Sequence, residues 1–157
     1  MSRIGIISDT HDNLDKVRAA VALFNRLEVD RVVHCGDVVA QFVLVEMSRL
    51  EMPLLGVFGN CDGDRTALRQ RAREFGFTWG SAPQRFEQSG RRFVVTHEPL
   101  SRPPAADFHL HGHTHRSGHT SGSPTVINPG EACGWLTGRA TAAVLEVETG
   151  TVEVHDL

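Results

Sequence analysis

Three times between Met1 and Phe75, a short apolar run breaks off at a turn rich in Asp, Asn or Gly and gives way to helical spacing. Arg3-Ile4-Gly5-Ile6-Ile7-Ser8 is almost continuously apolar, the pattern of a strand covered on both faces, and it stops at Asp9-Thr10-His11-Asp12-Asn13. From Leu14, apolar residues recur at Val17, Ala20, Val21, Phe24 and Leu27, which is helical periodicity, with Asp12 or Asn13 able to cap it. Val32-Val33-His34-Cys35 repeats the pattern, ending at Gly36-Asp37 before a helix predicted over about Ala40–Leu50. Leu54–Phe58 repeats it again, stopped by Gly59-Asn60-Cys61-Asp62-Gly63-Asp64, with Asp64 capping a helix over Arg65–Glu74. Repeats joined this tightly leave few folds open. They require an α/β unit with parallel strands and right-handed crossovers.

After Phe75 the pattern changes. Segments at 84–88, 92–96, 108–111, 125–127, 140–147 and 151–155 are short, rich in β-formers and separated by Gly, Ser and Pro. Gly90, Gly118, Gly122 and Gly150 read as turn residues, and Arg139–Glu148 with Thr151–His155 predicts a closing hairpin. The expectation is one domain over residues 1–157, α/β first and mainly antiparallel second, with two sheets and no linker. At 40% hydrophobic the chain can bury a core, which excludes disorder. Sixteen basic against nineteen acidic residues leave a formal charge of −3, which argues against a strong nucleic-acid surface. The apolar runs fall far short of the roughly 20 residues that span a bilayer. The segment from Met1 to Asp9 is too short for a secretory leader, so no membrane or export role is expected. Three cysteines, with no CxxC, fit a reducing cytoplasm.

Nine histidines are many for this length, and His109, His111, His113, His115 and His119 crowd one stretch. The strand ends gather the chemistry: Asp9 and His11, then Asp37, Asn60, His97, and finally His113 with His115. Parallel strands present their carboxyl ends at one edge, where ligands bind. Seven N and O donors can therefore converge, with Asp37 the natural bridge between two metals about 3.5–4 Å apart. Taken singly, each has a structural explanation. Asp9 could make an Asx turn or cap, Gly36-Asp37 and Asn60 could be turn residues, and His97 could be structural. Asp9-x-His11 and His113-x-His115 are more pointed, because alternate residues of an extended segment face the same way. Five such elements in order, each at a strand end, are not produced by turn chemistry. The mixed donors suit Mn²⁺, Fe or Zn²⁺ better than Mg²⁺.

Asp9-x-His11, Gly36-Asp37, Gly59-Asn60-Cys61-Asp62, His97, Gly112-His113-Thr114-His115 and Asn128-Pro129-Gly130 together resemble the calcineurin-like metallophosphoesterase family. The likeness is strongest to its small YfcE-like branch of bacterial and archaeal phosphodiesterases. It implies a four-layer α-β-β-α sandwich of two mixed β-sheets with a dinuclear site at one edge. By that resemblance, Asp9, His11, Asp37 and His115 hold one metal, and Asp37, Asn60, His97 and His113 hold the other. Asp37, Asn60, His97 and His113 are then also the catalytic set. The implied cofactor is a pair of divalent ions, Mn²⁺ foremost, with Fe, Zn²⁺ or Ni²⁺ as alternatives. The implied reaction is attack of a metal-bridging hydroxide on a small phosphodiester. Self-association as a homodimer or larger homo-oligomer is a further implication, though no segment marks an interface.

This chain departs from the family at three places. Cys61 replaces the His that often follows the motif Asn, and a thiol, expected to be partly buried, is a poorer proton donor to a leaving group. Glu98 and Glu131 stand where Gly and Ser are common, and either could add negative charge near a substrate. Asp62 is a candidate to orient a metal-binding histidine, with a share in capping the third helix as the alternative. Arg116 and His119 are candidate substrate contacts, although Arg is so frequent here that each one carries little weight. His34 is expected in the core, and His109 and His111 either line the site or support it. Only short segments separate Asn60, His97 and His113, so the site should be open and weakly selective. A phosphomonoesterase of nucleotidase type and a non-catalytic scaffold for protein partners are the competing functions.

Overall fold

Side-chain alternation along the first strand divides the interior in two. The computed structural model describes residues 1–157, and in it β1 (Arg3–Ile7) sends Ile4 and Ile6 to one core and Ile7 to another. The core of Ile7 lies under α1 (Leu14–Arg26), which buries Val17, Ala20, Val21, Leu23 and Phe24. Asn13 caps that helix by accepting from the Lys16 N–H. Asp12, the other candidate, instead accepts from the Ala40 N–H at 2.9 Å. The second helix, α2, is shorter than predicted at both ends, Phe42–Met47. Around it come β2 (Arg31–His34), β3 (Leu54–Val57) and α3 (Arg65–Glu74), the last capped by Asp64 as expected.

The remaining strands are β4 (Thr78–Gly80), β5 (Gln84–Gln88), β6 (Arg91–Val95), β7 (Phe108–Leu110), β8 (Gly118–Thr120), β9 (Thr125–Asn128), β10 (Thr141–Glu146) and β11 (Thr151–Asp156). The first sheet runs β11-β10-β1-β2-β3-β4, and its β1 to β4 are parallel. The second runs β5-β6-β7-β9-β8. The expected closing hairpin forms, but it joins the first sheet, with Arg3 opposite Glu146. The second sheet is also less antiparallel than predicted: β6, β7 and β9 are mutually parallel, flanked by antiparallel β5 and β8. The connections between them are long enough to cross over without a helix, so no helical period gave the parallel pairing away. Gly118 lies in β8 and not in a turn.

The α/β sandwich of two mixed sheets is the one anticipated. One core, including Ile4, Ile6, Val33, Phe93 and Leu110, fills the space between the sheets. All three helices cover the outer face of the first sheet, and no helix follows α3 in the chain. The outer face of the second sheet therefore carries no helix, and the fourth layer of the expected α-β-β-α sandwich is missing, because the chain after α3 is spent on short strands and loops. No helix is long and apolar enough to cross a membrane.

Two histidines are locked neutral in this interior. His34 is fully buried between the Thr10 hydroxyl and the Gly36 N–H, and burial pushes its pKa down to about 3. His109 is buried against the Thr96 hydroxyl at 2.8 Å, and burial brings it to about 4. A histidine depressed in the fold is protonated first in the unfolded chain, so its stabilising contribution is complete above about pH 6.5 and lost as the pH falls toward 4. Urea unfolding of the protein and of His109→Gln measures this. The stability difference between the two is expected to shrink by about 2 kcal/mol from about pH 7.5 to about pH 5. A difference independent of pH would mean that His109 titrates alike in both states.

Candidate metal centre

The parallel strands deliver their loops to one edge. Asp9 lies two residues beyond β1 and His97 two beyond β6, while Asp37, Asn60 and His113 lie three beyond β2, β3 and β7. Backbone hydrogen bonds then tie the loops together: Asp9 N–H to Gly36 O at 3.0 Å, His11 N–H to Asp37 O at 3.2 Å, Gly112 N–H to His97 O at 2.9 Å. Asp62 accepts from the N–H groups of Asp37, Val39 and Gly59 at 3.1, 2.8 and 2.8 Å, clamping the β2 loop to the β3 loop. It therefore neither orients a histidine nor caps α3. The motif glycines permit the close approach. A Cβ on Gly59 would fall on Asp37 Oδ1, and one on Gly112 would fall on Ser8 Oγ and Asp9 Oδ2.

Asp9, His11, Asp37, His113 and His115 all have positive φ, between 37° and 67°. The extended conformation predicted for Asp9-x-His11 and His113-x-His115 is thus corrected: left-handed residues curl both segments. Such backbone costs about 1–3 kcal/mol per residue and persists only where surrounding contacts over-determine it. The curl brings Asp9 Oδ1 to 3.7 Å from His11 Nε2, and it sends His113 and His115 to different sets of donors.

Each carboxylate commits one oxygen to the protein and leaves the other free. Asp9 Oδ2 accepts from Ser8 Oγ at 2.6 Å and from the His113 N–H at 3.0 Å, and Asp37 Oδ1 accepts from the Cys61 N–H at 2.8 Å. Asp9 Oδ1 then faces His115 Nε2 at 3.3 Å and His11 Nε2. Asp37 Oδ2 stands 3.5 Å from His11 Nε2 and 3.3 Å from His97 Nε2. Asn60 Oδ1 lies 2.9 Å from His97 Nε2 and 3.1 Å from His113 Nδ1.

The ring tautomers follow from the outer contacts. His97 Nδ1 donates to Cys35 O at 2.8 Å, and His115 Nδ1 donates to Glu131 Oε2 at 2.6 Å, so both Nε2 atoms turn a lone pair inward. Lone pairs of nitrogen and oxygen converging at about 3 Å repel one another unless a cation lies between them. Asp9 Oδ1 and His11 Nε2 are buried without any hydrogen-bond partner, which is the same deficit. Donors bound at about 2.1 Å on one ion sit roughly 3.0–3.4 Å from one another, close to the spacing observed. Asp9, His11 and His115 form one group able to hold an ion, and Asp9, Asp37 and His97 another. The seven donors predicted from strand ends are therefore brought together. Burial works to neutralise Asp37, but His97 and the Cys61 N–H outweigh it and hold the acid at about 2.

Cys61 is exposed, contrary to expectation, and with Trp135 and Leu136 it rims a concavity of about 290 Å³ over the donors. A second concavity of about 390 Å³ opens on the other side of Asn60, bordered by Phe58, Arg65, Glu98 and Leu100. Arg116 and His119 lie apart from both, in a depression of about 270 Å³ shared with His111. Glu131 does not face a substrate. Wholly buried, it orients His115 and accepts from the N–H groups of Leu136 and Thr137. His115 and the Thr137 donors overcome the effect of burial and hold its pKa at about 2. Neither this role nor Trp135 was anticipated. The signal available for them was the run Glu131–Gly138, an apolar pair between glycines directly after Asn128-Pro129-Gly130.

Fold and donor set together define a metal-dependent phosphoesterase. The chain belongs to the calcineurin-like phosphoesterase superfamily, whose domain profile matches residues 2–150. It is 36% identical to the phosphodiesterase MJ0936 of Methanocaldococcus jannaschii over 93% of each chain. A solved archaeal phosphodiesterase superposes with a TM-score of 0.92 at 33% identity, covering 99% of both chains. The phosphoesterase YfcE from E. coli shares the fold, with a TM-score of 0.75 at 18% identity over 99% of this chain and 98% of its own. So does Vps29 from Chaetomium thermophilum, at 0.73 and 17% over 100% and 97%.

Proposed function

We propose that the chain is a phosphodiesterase for small phosphodiesters and that residues 1–157 act as one catalytic domain. The observation that carries this reading is Asp37 Oδ2, a single oxygen common to two sets of donors. In this reading Asp9, His11, Asp37 and His115 hold one cation, and Asp37, Asn60, His97 and His113 hold the other. When bound, the two ions supply a water acidic enough to attack near neutral pH and offset charge on the phosphoryl oxygens. The chain fixes the geometry: Cys35 O and Glu131 set the tautomers of His97 and His115, and the Cys61 N–H aims Asp37.

Two features favour diesters. Concavities lie on both sides of Asn60, which gives room for two ester arms. The one arginine or lysine in their walls, Arg65, is already engaged by the carbonyls of Asp62 and Gly59, so it is poorly free to meet the extra charge of a monoester. Cys61, a weak donor beside Asn60, makes esters with stable leaving anions the better substrates. Mn²⁺ is the working ion by the mixture of N and O donors. Three free cysteines support a reducing cytoplasm as its compartment.

The test begins with protein stripped of metal and then given Mn²⁺. Turnover of bis(p-nitrophenyl) phosphate is expected to return and to exceed that of p-nitrophenyl phosphate, and Asn60→Ala is expected to be inactive. Faster monoester turnover would make the protein a phosphatase. Two bound ions with neither ester cleaved would leave the partner-binding scaffold.

A further inference from the structure

Trp135 and Leu136 are 63% and 75% exposed, unusual for large apolar residues beside an ion site. They are also held firmly. The Trp135 indole N–H donates to the backbone oxygen of His11 at 3.2 Å, tying the ring to a donor loop. Glu131 accepts from the Leu136 N–H at 3.0 Å and from the Thr137 N–H at 2.6 Å, while its other oxygen holds His115 at 2.6 Å. The Gly138 N–H closes the loop onto Gly134 O at 3.1 Å. One buried carboxylate thus sets both an ion-facing imidazole and the apolar pair, and it fixes the distance between them.

We infer that Trp135, with Leu136 beside it, is a stacking platform that selects phosphodiesters carrying a planar aromatic arm, a nucleobase or an aryl group. The inference rests on the phosphodiesterase reading and narrows its substrate class. The platform is continuous with the donors, since Trp135 and Leu136 wall the same concavity as His11, Asp37 and Asn60. An arm that extends from the donors into this concavity has Trp135 and Leu136 in its wall. An indole face offers any flat ring a stacking partner irrespective of its hydrogen-bonding edge, so the preference would be for aromaticity and not for one base. A ring already tied to His11 O, on a loop that Glu131 holds at Leu136 and Thr137, loses little freedom when the arm lands on it.

Diphenyl phosphate and dimethyl phosphate, measured as competitive inhibitors of bis(p-nitrophenyl) phosphate hydrolysis, read the platform directly. In Trp135→Ala the inhibition constant for diphenyl phosphate is expected to rise roughly 5- to 100-fold, by the usual worth of an aromatic stack. That for dimethyl phosphate should move far less, and Trp135→Phe, which keeps a ring but loses the bond to His11, should restore most of the discrimination. Equal shifts for both inhibitors, or none for either, would overturn the inference. Quenching of indole fluorescence by bis(p-nitrophenyl) phosphate gives a second readout that needs no turnover. The only other tryptophan, Trp79, is buried. Saturable quenching present in the protein and lost in Trp135→Phe supports the platform even if no diester is cleaved, whereas quenching that never saturates, is equal in both, or is absent from both removes it.

Discussion

Asp37→Asn is expected to lower Mn²⁺-dependent turnover of bis(p-nitrophenyl) phosphate by on the order of 10³-fold or more, and to reduce bound metal below two ions per chain. The isosteric amide fails for a geometric reason. One position of the side chain must accept from the Cys61 N–H, and the other must offer a lone pair between His11 and His97. An amide has one acceptor and one donor, so either orientation turns an NH₂ where an oxygen is needed. Metal content by plasma emission, read beside turnover, separates loss of ions from loss of chemistry. Turnover within tenfold of the parent, with two ions retained, would show that no bridging carboxylate is required.

Glu131→Ala is expected to be nearly as damaging, although its carboxylate faces away from the substrate. Removing the partner of a metal-facing histidine typically weakens metal binding 10- to 100-fold. The loop N–H groups of Leu136 and Thr137 lose their acceptor as well, and breaking a buried network of this kind costs about 3–5 kcal/mol. Glu131→Gln keeps an acceptor for the loop but not the charge facing His115. It should recover most of the stability and little of the Mn²⁺ affinity. Urea unfolding and Mn²⁺ titration of the two variants give those numbers independently. Equal Mn²⁺ affinity in Glu131→Ala and the parent would confine Glu131 to a structural role.

The donor residues were readable because topology does their sorting. Once the first three strands are parallel, whatever follows each strand must arrive at the same edge, so Asp9, Asp37 and Asn60 could be grouped without knowing a single distance. That logic did not extend to His97 and His113, because their half of the chain reads as mainly antiparallel; their grouping rested on the motifs, and β6 and β7 are parallel through a connection that carries no helical period. What escaped was set by contacts between loops. β4 is three residues ending in Gly80, too brief to show alternation. The left-handed backbone at Asp9, His11, His113 and His115 is imposed by neighbouring loops, and the readiness of Asp and His to adopt it is too weak a preference to read from residue type. By sequence Asp62 reads either as the partner of a metal-binding histidine or as a cap, and only the fold shows three N–H groups reaching it from two loops. Trp135 lies 20 residues beyond His115 in the chain, and spacing alone does not reveal that its indole N–H meets His11 O.

Four of the seven donors hang from the first sheet, Asp9, His11, Asp37 and Asn60, while His97, His113 and His115 hang from the second. Under the proposed assignment, two ions held by these residues would act as a rivet through two plates. A slip of one sheet across the other by a fraction of an ångström would be felt first as a mismatch in coordination, long before any core contact was lost. Ile4, Val33, Phe93 and Leu110, which fill the gap between the plates and touch no substrate, set the gauge at which the rivet fits. On that assignment, the tolerance for repacking that gap would be decided by coordination chemistry at its rim.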